Sequence, residues 1–237
     1  MINKGSQLYE GKTKIVYDVD DDNVILRYKD DASAFNGVKK AQIKNKGILN
    51  NKISEIFFTI LKKHNVKNHF VKRLNDREQL CRKVKVIPLE FIVRNVIAGA
   101  MAKRLLIPEG TIPPNTIFEI CYKDDSLDDP LINDHHAVAL GIVTYDELKE
   151  MYSLTNKINE VLKKVLIDQD IILVDFKIEF GRTKDGNIIL ADEISPDTCR
   201  LWDRLTHDRL DKDRFRRDLG NIEEAYIEIL KRIEKSE

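Results

Sequence analysis

The stretch 174–202, VDFKIEFGRTKDGNIILADEISPDTCRLW, constrains the fold more than any other part of this chain. At period two its first half places Asp175, Lys177 and Glu179 on one strand face and Phe176, Ile178 and Phe180 on the other. Asp185-Gly186 has the chemistry of a two-residue hairpin turn, because glycine accepts the positive φ that a type I′ turn needs. With that turn Lys184 pairs with Asn187, and Glu179 falls opposite Asp192. Facing carboxylates on adjacent strands have Cβ atoms ~5 Å apart and, at an effective dielectric of about 20, repel by roughly 3 kcal/mol. A divalent cation relieves that repulsion, and Mg²⁺ favours one or two carboxylates plus phosphate oxygens.

The alternative is a half-exposed sheet on which both acids face water. A longer turn would also shift the register and part them. The continuation, Asp192-Glu193-Ile194-Ser195-Pro196-Asp197 and then Arg200, tips the balance towards a site. Acids, a hydroxyl, a rigid Pro and an Arg gather in a loop at a strand end, where binding groups concentrate.

The 237 residues suffice for one large domain or two lobes sharing a core. Forty basic and forty acidic residues cancel, which argues against a nucleic-acid binder driven by counterion release. No apolar run reaches the ~18 residues of a membrane span. The opening MINKGSQLYEGK has no apolar signal core, which predicts a cytoplasmic protein. Cys81, Cys121 and Cys199 are odd in number and widely spaced, so they make neither a disulfide framework nor a zinc cluster.

Along the chain, 9–17 reads as a strand and 24–28 as its hairpin partner, with Lys12 and Lys14 on one face and Gly11 open to a ligand. These suit a lip over phosphates, or equally an edge strand guarded by lysine. Apolar residues from Ile43 to Leu61 recur at helical spacing up to 64–65, with His64 and His69 expected at the surface. Strands are expected around 70–74 and 84–93, with Pro88 marking an edge or break and a hinge between lobes. Arg94, on one face with Glu90 and Ile92, leads through a Gly-containing segment to a helix at 101–106. It suits an anion site, or an ion pair with Glu90. A strand at 116–122 and an acidic loop follow, and Asn133-Asp134-His135-His136 lacks zinc spacing. Thr144-x-x-Glu147 is a capping box opening a helix to about Ile167, and a last amphipathic helix spans 222–233. Cys199 beside Arg200 has the setting of a low-pKa thiol but no base partner.

The segments YEGKTKIVY, DDASAFNG, PLEFIVRNVIAGA, KDDSLDDPLIND, LVDFKIEFG, LADEISPDTCRLWD and DKDRFR resemble, in order and over nearly the whole chain, the SAICAR synthetase family in its short bacterial form. The resemblance implies an α+β fold of two lobes, each with a mainly antiparallel sheet and flanking helices. Lobe 1–87 would cover ATP, lobe 88–237 would bind substrate and metal, and ATP would lie in the cleft between them. The implied reaction joins L-aspartate to the carboxylate of CAIR (5-amino-1-(5-phospho-D-ribosyl)imidazole-4-carboxylate), with ATP converted to ADP and phosphate, in a homodimer. Gly11, Lys12 and Lys14 would meet the ATP phosphates, and Glu179 and Asp192 would hold Mg²⁺. Val16, Leu26, Val84 and Val86 would form the adenine pocket, with backbone from Arg82 to Val84 bonding the base. Arg94 and Arg200 would bind the CAIR phosphate. Glu90, Asp175 and Lys177 would line its imidazole and carboxylate. Ser33, Asn36, Lys123, Asp197, Lys212, Asp213 and Arg216 would surround the aspartate and CAIR pockets; of all these, Lys177, Asp175 and Lys212 would be the catalytic group. Ala100 stands where the family often has a phosphate-binding Ser, and Thr198-Cys199 where Gly-Ser is frequent. Two rival readings are a kinase-like phosphotransferase, which would need the HRD and DFG motifs absent here, and a non-catalytic nucleotide-binding module.

Overall fold

The computed structural model of the chain describes residues 2–34 and 37–236, so Asn36, expected among the substrate contacts, lies outside the described residues. The chain opens with β1 (Gln7–Glu10), β2 (Lys14–Asp18) and β3 (Asn23–Tyr28), the short pair β4 (Asp31–Ala34) and β5 (Lys39–Gln42), and helix α1 (Lys46–Lys63). Next come β6 (Phe70–Arg73), β7 (Glu78–Arg82), β8 (Lys85–Arg94), α2 (Gly99–Leu105), β9 (Ile117–Tyr122), β10 (Leu131–Ile132), α3 (Asp134–Ala139) and α4 (Tyr145–Ile167). It finishes with β11 (Ile171–Arg182), β12 (Ile188–Ala191), β13 (Cys199–Asp203), α5 (Asp213–Arg216) and α6 (Ile222–Ile233).

The larger sheets run β1-β2-β3-β7-β6 and β10-β9-β8-β11-β12, with antiparallel strand pairs throughout, as an α+β architecture requires. β11 organises the second sheet. One edge pairs with β8, while β13 and β12 share the other, β13 along residues 171–176 and β12 along 179–182. Its apolar face, Phe176, Ile178 and Phe180, is at most 1% exposed and joins α1, α4, α6 and β8 in one core. Because Ile53, Phe57 and Leu61 of α1 belong to that core, the N-terminal part of the chain is anchored to the second sheet.

Several local expectations stand. The Thr144–Glu147 capping box is present in both directions and α4 ends at Ile167. Helix α1 ends at Lys63 with His64 as its C-cap, and α6 spans 222–233. Asn133 and His136 form a capping box of their own at α3, which gives the His-rich segment a structural task.

Others are corrected. The single strand at 9–17 is two, because Gly11 N–H bonds Lys14 O at 2.8 Å and turns the chain. Lys12 therefore sits in a turn, off the strand face that carries Lys14. The helix after Arg94 begins at Gly99 rather than Met101. Pro88 does not break a strand. It lies inside β8 where the register with β11 shifts between Glu179 and Gly181, so its missing N–H costs the ladder nothing there. His69 is buried, 4% exposed, edge-on to Phe58, and burial lowers its imidazole to about 4.

Candidate active site

The hairpin at the centre of the sequence argument forms with a different turn. Thr183 N–H bonds Asn187 O and Gly186, at φ +81, closes a three-residue loop. The extra residue slips the register by one, so Glu179 faces Ala191 rather than Asp192. A slip alone would send Asp192 to the opposite face. Just past the last paired residue, however, Asp192 adopts φ +61 and leaves the strand alternation. Its carboxylate meets Lys14 Nζ at 2.5 Å. Its charge then falls on Glu179 after all: burial first and Asp192 second raise the Glu179 carboxyl above its ordinary range. Burial also opposes ionisation of Asp192, but Lys14 and Lys177 outweigh it and hold that carboxyl low. The two acids are brought together by backbone strain in place of cross-strand pairing.

Cations surround them. Lys14 also bonds Glu193 at 2.5 Å, Lys123 bonds Glu179 at 2.5 Å, and Lys177 bonds Glu90 while lying 3.5 Å from Glu179. Burial works against the charge on Lys177 and Lys123, but the facing carboxylates raise both ammonium groups above their usual range. Glu90 and Glu179 pair directly across β8 and β11, so these lysines separate acids that would otherwise repel. Lys12 reaches Asp125 at 2.8 Å, tying the first sheet to the acidic loop after β9.

Towards the other end of β11 the same face changes sign. Asp175 accepts from Arg94 at 2.8 Å and from Arg200 at 2.8 and 3.1 Å, so one acid aligns two guanidinium groups. The Arg94–Glu90 pair weighed from sequence does not form: Arg94 uses Glu119, at 2.6 Å, and Asp175. Arg200 is further held by Asp213 at 2.9 Å, which also accepts from Arg216 at 2.6 Å. A cavity of about 130 Å³ opens here, lined by Arg94, Asp175, Lys177, Asp197, Arg200 and Arg216 among others. Gly99 makes room for Arg200, since a Cβ there would lie 2.3 Å from Nη2.

The remaining expected residues are placed more loosely. Val16 packs on Leu26, Val24, Tyr28 and Cys81 of the first sheet. Val84 packs against Gly181, and Val86 is 47% exposed. The N–H groups of Arg82 and Lys83 are bonded to His69 O and Asp22 O at 2.7 Å. Of the backbone donors at 82–84, those of Arg82 and Lys83 are therefore already taken within the chain. Ser33 lies on β4, whose neighbours Ala32 and Ala34 pack against Phe215 of α5. Lys212, 9% exposed, precedes α5, and burial lowers its ammonium below the usual range. Cys199 is no activated thiol: it is 3% exposed, and burial pushes its pKa up. Thr198, the departure beside it, ties the loop by accepting from Ser195 N–H at 3.2 Å.

Sequence reasoning missed Lys46, which is 1% exposed and bonds Asp197 at 2.5 Å; a lysine in the Lys-rich run 39–46 carries no mark of burial. It also missed Glu119. An isolated acid among the apolar residues of IFEICY was a usable signal.

Comparison with known proteins gives one answer over the whole length. The model of the SAICAR synthetase family matches residues 7–233. A phosphoribosylaminoimidazole-succinocarboxamide synthase of Fusobacterium nucleatum is 64% identical over 233 residues, 98% of each chain. The solved structure of such a synthase from Ehrlichia chaffeensis superposes with a TM-score of 0.95 at 43% identity, covering 97% of this chain and 98% of that one. A type-2 SAICAR synthetase in complex with ADP gives 0.93 at 51% identity, covering 95% and 96%. With the acids of β11 and the lysines and arginines gathered around it set in that same fold, the chain belongs to the SAICAR synthetase family.

Proposed function

We propose that this chain is an ATP-dependent ligase that joins L-aspartate to the carboxylate of CAIR, giving SAICAR, ADP and phosphate in de novo purine biosynthesis. Family membership supports the reaction, and the ADP complex of a relative at 51% identity supports the nucleotide. The observation that carries the site is the division of β11: lysines and carboxylates at Lys177–Glu179, guanidinium groups around Asp175.

The donor set fits magnesium. Glu179 is buried and Asp192 half-buried; the two repel one another and favour a divalent cation between them. Among the described residues no group of three or more His, Cys, Asp or Glu side chains could hold a metal alone, which suits an ion completed by nucleotide phosphates. Bound there, Mg²⁺ would neutralise charge on the phosphates. Lys14 and Lys123 would exchange their carboxylate partners for phosphate oxygens, and Gly11 and Lys12 would close the lip. The segment 1–87 would cover the nucleotide, with Val16, Leu26, Val84, Val86 and backbone of Arg82 at the base.

Arg94 and Arg200 would hold the CAIR phosphate bidentately, pre-aligned by Asp175. Glu90 and Lys177 would orient the CAIR carboxylate. An oxygen of that carboxylate attacks the γ-phosphoryl group of ATP, the bond to the β-phosphate oxygen breaks, and an acyl phosphate and ADP form. The aspartate amine, placed by Ser33, Asp197, Lys212, Asp213 and Arg216, then attacks the acyl carbon. Phosphate leaves and the amine loses a proton. Among the described residues no helix is long and apolar enough to cross a membrane, and the reading includes a cytoplasmic homodimer.

The test is a coupled ADP-release assay with CAIR, ATP and L-aspartate each omitted in turn. The ligase releases ADP and phosphate stoichiometrically with SAICAR only when all three are present. ADP release that leaves a stable phosphorylated product and no SAICAR even with aspartate present would mark a phosphotransferase, and ATP binding without ADP release would mark a nucleotide-binding module.

A further inference from the structure

Lys46 opens α1 from a Lys-rich run that reads as solvated, yet its side chain is fully enclosed. Its Nζ donates to Asp197 Oδ2 at 2.5 Å, and Tyr226 OH, from α6, donates to Oδ1 at 2.7 Å. Both oxygens of Asp197 are therefore occupied from behind, by two residues that take no part in the cavity wall that Asp197 itself joins. Lys212 bears on the same carboxylate through its charge alone, without a direct bond. The wall carries four cations, Arg94, Lys177, Arg200 and Arg216, against two carboxylates, Asp175 and Asp197.

We infer that Lys46 is a positioning residue that, with Tyr226, pins Asp197 and cancels its charge, so that this cavity presents a net positive face to a phosphate or carboxylate substrate. The inference rests on reading the cavity as the seat of the anionic substrate. The physical ground is the asymmetry of buried ion pairs. Removing one partner leaves an uncompensated charge, whereas replacing both with neutral groups of similar shape is close to neutral. A Lys46→Met change would leave Asp197 without its ion-pair partner, held only by Tyr226 and the unbonded charge of Lys212, as an anion in the wall of an anion site. Changing Asp197→Asn as well removes that anion and retains an acceptor for Tyr226. The burial of Asp197 supports this: it disfavours ionisation, and Lys46 and then Lys212 overcome it to hold the carboxyl low.

The experiment measures affinity for ribose 5-phosphate by calorimetry, together with the KM of each substrate and the melting temperature. The proteins compared are wild type, Lys46→Met, Lys46→Arg and the double variant Lys46→Met/Asp197→Asn. Lys46→Met should weaken ribose 5-phosphate on the order of tenfold, as expected for an added like charge near the ligand. Lys46→Arg should retain binding, and the double variant should return to within about threefold of wild type in ribose 5-phosphate affinity, while its KM for L-aspartate rises with the loss of the Asp197 carboxylate. If Lys46→Met does not fold, a folded double variant with that recovered affinity still supports the inference. A double variant that folds but binds as weakly as Lys46→Met, or not at all, overturns it, as does a folded Lys46→Met with wild-type affinity. Wild-type protein that binds ribose 5-phosphate but never makes SAICAR would defeat the ligase reading while leaving this one standing.

Discussion

Gly99 offers a direct way to perturb the arginine pair without touching either arginine. It holds φ +58, and a Cβ there would stand 2.3 Å from Arg200 Nη2 and 2.6 Å from Cζ. The guanidinium is not free to step aside, because Asp175 accepts from Nη1 at 2.8 and 3.1 Å and Asp213 from Nε at 2.9 Å. Gly186 is the matched control: its φ is +81, but nothing lies within 4 Å of the added Cβ. Gly186→Ala should cost only the left-handed backbone, about 1–2 kcal/mol. In a chain of this size that lowers Tm by roughly 2–8 °C, with kcat/KM unchanged. Gly99→Ala should cost the same strain and also displace Arg200. Losing charged hydrogen bonds worth about 1.5–3 kcal/mol in the transition state would lower kcat/KM for CAIR about 10- to 100-fold. Steady-state kinetics with CAIR varied, beside thermal melts of both variants, read out the two effects separately. Wild-type kcat/KM in Gly99→Ala, or an equal loss in Gly186→Ala, would refute the placement of Arg200 at the substrate.

Glu179→Gln and Asp192→Asn should each cut ATP turnover by orders of magnitude while leaving the far-ultraviolet circular dichroism intact; near-native rates would remove the metal role. Thr144→Ala deletes the Oγ1 that accepts from Glu147 N–H at 3.2 Å. It should cost about 1 kcal/mol, seen as a Tm drop of roughly 2–4 °C by calorimetry with kcat unchanged. The N–H of Thr206, with Arg232 and the N–H of Leu205, holds the Asp203 carboxyl at about 2, below its ordinary 3.8. Its stabilisation is therefore complete above pH 3.8 and lost as pH falls through 2, and Asp203→Asn should flatten that limb of an acid-unfolding curve. Burial raises the Cys81 and Cys199 thiols and lifts Cys121 to about 11, so iodoacetamide at neutral pH should leave the folded protein unlabelled by mass spectrometry.

What was legible in the sequence depended on periodicity and capping. The alternation of 175–180 and the Thr144–Glu147 box each encode a local rule, and each folds as read. The turn at 183–187 was misread because Asp-Gly serves a three-residue loop with Gly186 left-handed as well as a two-residue turn, and local sequence does not separate them. Asp192 restores the acid pair through a positive φ that no residue type announces. Lys46 and His69 escaped for a related reason, since Lys46 is paired with Asp197 and His69 N–H with Leu190 O, partners distant in sequence. The partners of Arg94 likewise depend on β8 lying between β9 and β11, a topological fact beyond local pattern.

The proposed sharing of Mg²⁺ by Glu179 and Asp192 is tested most directly by ADP affinity, measured calorimetrically with and without Mg²⁺ in wild type and Asp192→Asn. Mg²⁺ should tighten ADP binding in wild type. In Asp192→Asn that gain should disappear, while metal-free affinity holds or rises because one repelling carboxylate is gone from beside the phosphates. An equal Mg²⁺ effect in both proteins would contradict the account.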